Sequence, residues 1–169
     1  MKRLLIVTAA LLAMASNTYG ATTDKATALL KGFEGFRPSV YTCEAGKATI
    51  GYGFTSAAMV GKGHITEAEA SAELSRLCDS IAAKLRSELG KGNALLPNEE
   101  AAVVSFIYNV GWTNFKNSTM CRLLKEGKRG AIVGLEFRKW VYVSKGGKKV
   151  VSDGLRNRRM KEAMTFLLG

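Results

Sequence analysis

The sequence predicts an α+β fold: a small β-containing lobe and a larger helical lobe joined by a long helix, with a cleft between the lobes. Three observations carry this. Val40 to Phe54 holds β-type residues interrupted by glycine, Thr66 to Leu85 is a long capped amphipathic run, and nearly everything after it is patterned as helix. A chain of 169 residues suffices for one well-cored domain and is too short for two ordinary ones. Clefts between lobes are common ligand sites.

At the N-terminus, Lys2 and Arg3 precede an apolar block, Leu4 to Ala15, broken only by Thr8, and then Ser16 to Ala21, small or polar apart from Tyr19. This is the layout of a secretory signal peptide, with cleavage after Ala15 or near Gly20–Ala21. A weakly hydrophobic anchor exported uncleaved is the second reading. The block is short for a membrane span, which needs about 20 residues. The expected organisation is therefore residues 1–20 as signal peptide or signal-anchor and 21–169 as the domain, exported to the periplasm or beyond the cell.

Ala21 to Lys25 reads as a short polar leader, and Lys25 to Phe36 as a short helix ending near Gly35, with Pro38 opposing continuation. Val40-Tyr41-Thr42-Cys43 and Ala48 to Phe54 read as a hairpin or small sheet, followed by a glycine-rich loop, Val60 to His64. Thr66 and Glu69 form a capping box ahead of Ala70, Leu74, Leu77, Ile81 and Leu85, spaced by three and four. Gly90 to Asn93 stops that helix. Pro97 opens another, through Ala101 to Val110, whose all-round apolar character predicts the core of the larger lobe. Further helices are expected from Asn117-Ser118-Thr119 to Leu124, over Ala131 to Trp140, and over Leu155 to Leu168, with a loop or hairpin at Val141 to Val151. Trp112 and Trp140 read as packing residues.

Apolar residues at 47% and charged residues at 23% exclude a disordered chain. The net charge is +11, and loss of Lys2 and Arg3 with the leader removes two positive charges and no acid, leaving +9. Such a balance suits nucleic acid, an acidic membrane face or an acidic polymer, and alone selects none of them. The cysteines Cys43, Cys78 and Cys121 lack close metal-ligand spacing, and the one histidine, His64, sits in a Gly-Lys-Gly-His loop. No metal and no cofactor is expected. In an exported chain two cysteines can bridge and one is left over.

Glu34 lies between Phe33 and Phe36 at a helix end. Apolar surroundings disfavour a carboxylate's charged form, which suits a general acid. The segment Glu34–Thr49 then reads Glu-x8-Cys-x5-Thr and runs into Ile50-Gly51-Tyr52-Gly53. Further blocks follow in order: Ala101 to Gly111, Phe115, Ser118-Thr119, Lys139-Trp140 and Gly154 to Arg159. Together with Leu30 to Gly35, they resemble the phage endolysins of glycoside hydrolase family 24, in the variant with cysteine in place of aspartate. The resemblance covers roughly residues 25–168.

That resemblance implies a lysozyme-like fold and cleavage of the β-1,4 bond between N-acetylmuramic acid and N-acetylglucosamine. It implies Glu34 as general acid, Cys43 as the second catalytic residue across the scissile bond and Thr49 as holder of the attacking water. Such chemistry needs a proton for the leaving oxygen and help for an oxocarbenium-like transition state. By position, Thr55, Tyr108, Asn109 and Ser118 would line the cleft, and Arg156 or Arg159 would orient Glu34. Glu44 beside Cys43 points to the other face if the segment is extended. A catalytic Cys43 leaves Cys78 and Cys121 to pair, although three cysteines allow three pairings, and a bridge to Cys43 would cage the site. The leader holds no cysteine to open such a cage. Expected partners are peptidoglycan and, through the N-terminal segment, transiently the inner membrane, with no specific nucleic acid and a monomeric state. Two other classes stay open: a binding module that grips peptidoglycan without cleaving it, and a cationic protein acting on nucleic acid or membranes through the basic terminal helix.

Overall fold

In the computed structural model, residues 20–43 and 46–168 are described. The leader or anchor expected over 1–20 lies outside them but for Gly20, as does Glu44.

Helix α1 runs through residues 20–34. The polar leader expected at Ala21 to Lys25 is thus helix. The reason is that Thr22 and Thr23 fall on the same stripe as Ala26, Thr27 and Leu30, all buried. Their burial is tolerated because the hydroxyls find partners: Thr23 donates to Asp79, and Thr27 donates to the Cys78 sulfur at 3.7 Å. Gly35 ends the helix in a left-handed conformation, φ 66°.

Strands β1 (Arg37–Thr42) and β2 (Ala48–Gly51) pair antiparallel. Ile50 and Phe54 then exchange backbone hydrogen bonds of 3.0 and 2.9 Å around Tyr52-Gly53, closing a second tight turn. Helix α2 (Ala57–Val60) is one turn long, and the loop after it returns to β1, where Ile65 N–H reaches the Pro38 carbonyl at 2.9 Å. Helix α3 (Glu67–Leu89) starts at the expected capping box and is the long connector.

A 3-10 turn, Lys91–Asn93, leads to α4 (Pro97–Val110). Residues 101–107 of α4 are buried without interruption, so this helix is the spine of the core. Arg86 of α3 grips Glu100 of α4 through two hydrogen bonds of 2.8 and 2.7 Å. Helices α5 (Trp112–Lys116), α6 (Thr119–Lys125) and α7 (Ala131–Phe137) wrap this spine. Phe106 of α4 meets Phe137 and Trp140 edge-on, both at 5.4 Å. The hairpin β3 (Tyr142–Lys145) and β4 (Lys148–Val151) turns on Gly146-Gly147, both at positive φ, as a two-residue hairpin requires. Helix α8 (Asp153–Leu168) closes the lobe against α4 and α7. The architecture is the α+β, two-lobed arrangement the sequence predicts.

The expected Cys78–Cys121 bridge is absent: both cysteines are buried and unbridged. Cys78 faces Thr27 of α1. Cys121 sits within the electrostatic reach of Glu88, ten residues further along α3. Both cysteines serve as small apolar core pieces.

Candidate active site

Glu34 is the last helical residue of α1, and its side chain reaches the terminal helix. Arg158 Nη1 donates to Glu34 Oε1 at 2.6 Å, and the guanidinium lies 4.7 Å from the Phe33 ring centre. The surroundings of Glu34 are therefore not merely apolar, as the sequence suggested, but shared between a ring and a cation. Arg158 is itself buried and also holds Glu162 Oε1 at 3.2 Å and the Ser105 carbonyl at 3.3 Å. Glu162, with 0% exposure, accepts from the Ser105 hydroxyl at 2.8 Å and pairs with Arg159. Arg159 in turn binds Asn109 Oδ1 and the Trp140 carbonyl, the latter at 3.1 Å. The result is a charge chain, Glu34–Arg158–Glu162–Arg159, ending on Asn109. Two acids balance two bases, so each buried charge has an opposite partner.

This chain corrects the sequence reading. The residue holding Glu34 is Arg158, not Arg156 or Arg159. Arg156 is exposed and pairs with Asp153 at 3.2 Å, and Arg159 faces the interior of the helical lobe. A signal was present but unread: Glu162 is an acid in a basic helix, four residues from Arg158 and three from Arg159, so all three share one side of α8.

Cys43 and Thr49 flank the β1–β2 turn. The Cys43 N–H donates to the Lys47 carbonyl at 3.0 Å and its carbonyl accepts from Gly46 at 2.8 Å, extending the ladder one step beyond β1. Thr49 is directly opposite Tyr41 in that ladder. Opposed residues share a face and so do residues two apart, which places Cys43 and Thr49 on one face of the hairpin. Thr49 is buried and its hydroxyl donates to the Lys47 carbonyl at 2.9 Å, leaving its oxygen as an acceptor.

The remaining expected site residues divide between two cavities at the C-terminal end of α4. Thr55 and Tyr108 line a small one, about 320 Å³, with Gly53, Glu73 and Arg76. Tyr108 donates from its hydroxyl to the Tyr52 carbonyl at 2.8 Å. Burial first, and the nearby Glu34 charge second, hold its phenol well above the ordinary tyrosine range. A Cβ at Gly53 would stand 3.5 Å from Glu34 Oε2, so Glu34, Gly53 and Tyr108 adjoin. Asn109 and Ser118 line a larger cavity, about 810 Å³, with Lys139, Trp140, Tyr142 and Arg159. Ser118 caps α6: its oxygen accepts from Cys121 N–H at 3.1 Å and donates to the Phe115 carbonyl at 2.6 Å. Its contribution there is to shape a wall.

The pattern of the phage lysozyme family matches residues 31–162. The chain belongs to the phage lysozyme family. An endolysin of Acyrthosiphon pisum secondary endosymbiont phage 1 is 33% identical over 143 residues, spanning 85% of this chain and 95% of that protein. A SAR-endolysin of Bacteriophage PS119 is 33% identical over 82% of this chain and 78% of the relative. Among solved structures, the muramidase domain of SpmX from Asticaccaulis excentricus superposes with TM-score 0.74 at 30% identity, covering 85% of this chain and 95% of that one. An endolysin from Escherichia coli O157:H7 phage FAHEc1 gives 0.73 at 30% identity, covering 85% and 91%. Both are lysozyme-like folds, and the family match contains every element of the charge chain from Glu34 to Glu162.

Proposed function

We propose that this phage lysozyme is an exported muramidase of the cysteine-bearing Glu-x8-Cys-x5-Thr type, cleaving the β-1,4 bond between N-acetylmuramic acid and N-acetylglucosamine in peptidoglycan. The observation that carries the reading is the two-sided setting of Glu34. Oε1 is tied to Arg158, whereas Oε2 is directed toward Gly53 and Tyr108 at the cavity. A carboxylic acid held this way keeps Oε1 as acceptor from Arg158 and presents its proton on Oε2 to the glycosidic oxygen. When the proton leaves, the new negative charge already faces a guanidinium that needs no rearrangement. Arg158 thus supports the product of proton transfer and fixes the plane of the acid.

Cys43 and Thr49 serve the opposite side of the sugar. The Thr49 hydroxyl oxygen accepts a hydrogen bond from the attacking water and holds it in place, and Cys43 stabilises the developing positive charge or helps deprotonate that water. The sequence features Lys2-Arg3, Leu4 to Ala15 and Ser16 to Ala21 support export, as signal peptide or anchor. Peptidoglycan, an anionic polymer, suits the +11 charge.

The test is turbidity loss of permeabilised Gram-negative cells. The wild type is expected to clear them, and Glu34→Gln is expected to lose clearing while still sedimenting with purified walls. Cys43→Ser is expected to be crippled and Cys43→Asp to retain much activity. A fully active serine variant removes Cys43 from catalysis. A wild type that binds walls but releases no sugar ends makes the chain a peptidoglycan-gripping module.

A further inference from the structure

Helix α8 has two different faces. Inward, it presents Arg158, Arg159, Glu162 and Phe166, all buried. Outward, Met160, Met164 and Leu167 repeat at i, i+4 and i+7, and are 53%, 53% and 45% exposed. A solvated helix face ordinarily carries charged side chains there, so an apolar stripe on the outer face is unexplained by the fold. The stripe does not stand alone. It borders a groove of about 550 Å³ closed at one side by Val141 and Val151 at the base of the β3–β4 hairpin and at another by Arg138, the residue after α7. Gly134 of α7 lets Leu167 lie directly against that helix, where a Cβ would meet the leucine at 3.0 Å. Further along α7, Ile132 and Leu135 are 50% and 55% exposed.

The rim of this surface is cationic. Arg138 and Arg156 line the groove itself. The adjoining hairpin carries Lys145, Lys148 and Lys149, and residues 141–152 contain no acid. Lys145 and Lys148 face each other across the hairpin end, both exposed.

We infer that the outer face of α8, with the β3–β4 hairpin, docks on an anionic phospholipid bilayer surface. An amphipathic helix lying in the interface needs an apolar stripe to enter the headgroup–acyl boundary and flanking cations to meet acidic headgroups. This face supplies both. A second copy of the chain is disfavoured as occupant because two rims of arginine and lysine would repel, on a molecule already at +11. The N-terminal apolar block is disfavoured because it opens with Lys2 and Arg3. Among the described residues no helix is long and apolar enough to cross a membrane; a stripe of three side chains on one face suits a helix lying in the interface plane. The inference does not rest on wall cleavage: Met160 and Met164 face away from Glu34's partner Arg158, and of the charge chain only Arg159 reaches the groove.

The two methionines supply their own probe. The exported full chain is treated with hydrogen peroxide alone, with phosphatidylglycerol-containing vesicles, and with pure phosphatidylcholine vesicles, and sulfoxide at Met160 and Met164 is followed by peptide mass. Acidic vesicles are expected to slow oxidation of both at least fivefold, neutral vesicles to leave it unchanged, and 0.5 M salt to restore it. The double variant Lys145→Glu/Lys148→Glu, on an exposed hairpin end, is expected to lose most of the protection. Reactivity that ignores acidic vesicles overturns the proposal even if the N-terminal segment brings the protein to the membrane. Protection that rises with protein concentration in the absence of vesicles also overturns it, and makes a second copy the occupant.

Discussion

Arg158 is a charge in the interior with three acceptors: Glu34, Glu162 and the Ser105 carbonyl. Replacing it with methionine leaves Glu162 to Arg159 and Ser105 but strips Glu34 of its partner. Breaking a buried pair in this way costs about 3–5 kcal/mol. Loss of orientation at a reacting group costs on the order of 100-fold in rate. Arg158→Met is therefore expected to lower kcat by about 100-fold with KM within about twofold, assayed where circular dichroism shows the variant folded. Arg158→Lys keeps the charge but cannot fork to three acceptors, and is expected to recover only part. A folded methionine variant with normal kcat would reduce Arg158 to a structural residue. Cys78 offers a second measurement at this scale. Burial pushes its thiol up to about 11 from an ordinary 9.0. The unfolded chain then loses that proton first as pH rises. The contribution to stability is complete below pH 9 and is lost on the way to pH 11, amounting to roughly 2–3 kcal/mol. Urea midpoints of wild type and Cys78→Val are expected to diverge between these pH values, with the wild type falling faster; parallel curves would contradict the burial argument.

Among the elements, α3 was the most legible in the sequence because its signals are local. Thr66 accepts from Glu69 N–H at 3.2 Å while Glu69 accepts from Thr66 N–H at 2.9 Å, the reciprocal cap its spacing predicts. The Thr66 backbone N–H, and then Lys62, hold the Glu69 carboxyl down to about 2 from 4.5. A depressed folded-state value means stability that is present above pH 4.5 and disappears as pH falls toward 2. Glu69→Gln is expected to flatten the acid limb of the thermal-unfolding curve in that window, and Thr66→Ala to cost about 1 kcal/mol at neutral pH. A glutamine variant with an unchanged acid limb would mean that the cap opens in solution. The elements that escaped the sequence reading are those decided by tertiary contacts. The first turn of α1 looked like a polar leader because Thr22 and Thr23 carry hydroxyls; only the presence of Asp79 and Cys78 opposite makes their stripe buriable. Helices α2 and α5, at four and five residues, are too short for any periodic pattern. The same distinction applies to the site. Glu34, Cys43 and Thr49 were legible as one contiguous motif, whereas the choice of Arg158 over its neighbours required knowing which side of α8 faces α4.

The whole molecule is organised around α4. Its buried residues 101–107 support the helical lobe, Glu100 ties it to α3, and Ser105 anchors the charge chain that reaches Glu34. At its C-terminal end Tyr108 passes the support on to the smaller lobe, because its hydroxyl donates to the Tyr52 carbonyl at the turn between Ile50 and Phe54. That turn also carries Gly53, against which Glu34 Oε2 lies. One hydroxyl therefore registers the β turn against Glu34, the general acid of the proposed mechanism, across the cleft. Tyr108→Phe removes this bond while leaving the ring to pack, and leaves the Tyr52 carbonyl without its donor. The net cost of such a bond is about 0.5–1.5 kcal/mol. Because the bond joins the lobes and does not stabilise either interior, the loss should be felt locally. Amide exchange at Ile50 and Phe54 is expected to accelerate by about five- to tenfold, while Val103 and Phe106 in α4 keep their protection. Turnover is expected to fall with it, since the wall opposite Glu34 becomes less fixed. Equal acceleration in α4 and in the turn would show instead that the two lobes open as one unit and that Tyr108 contributes only to global stability.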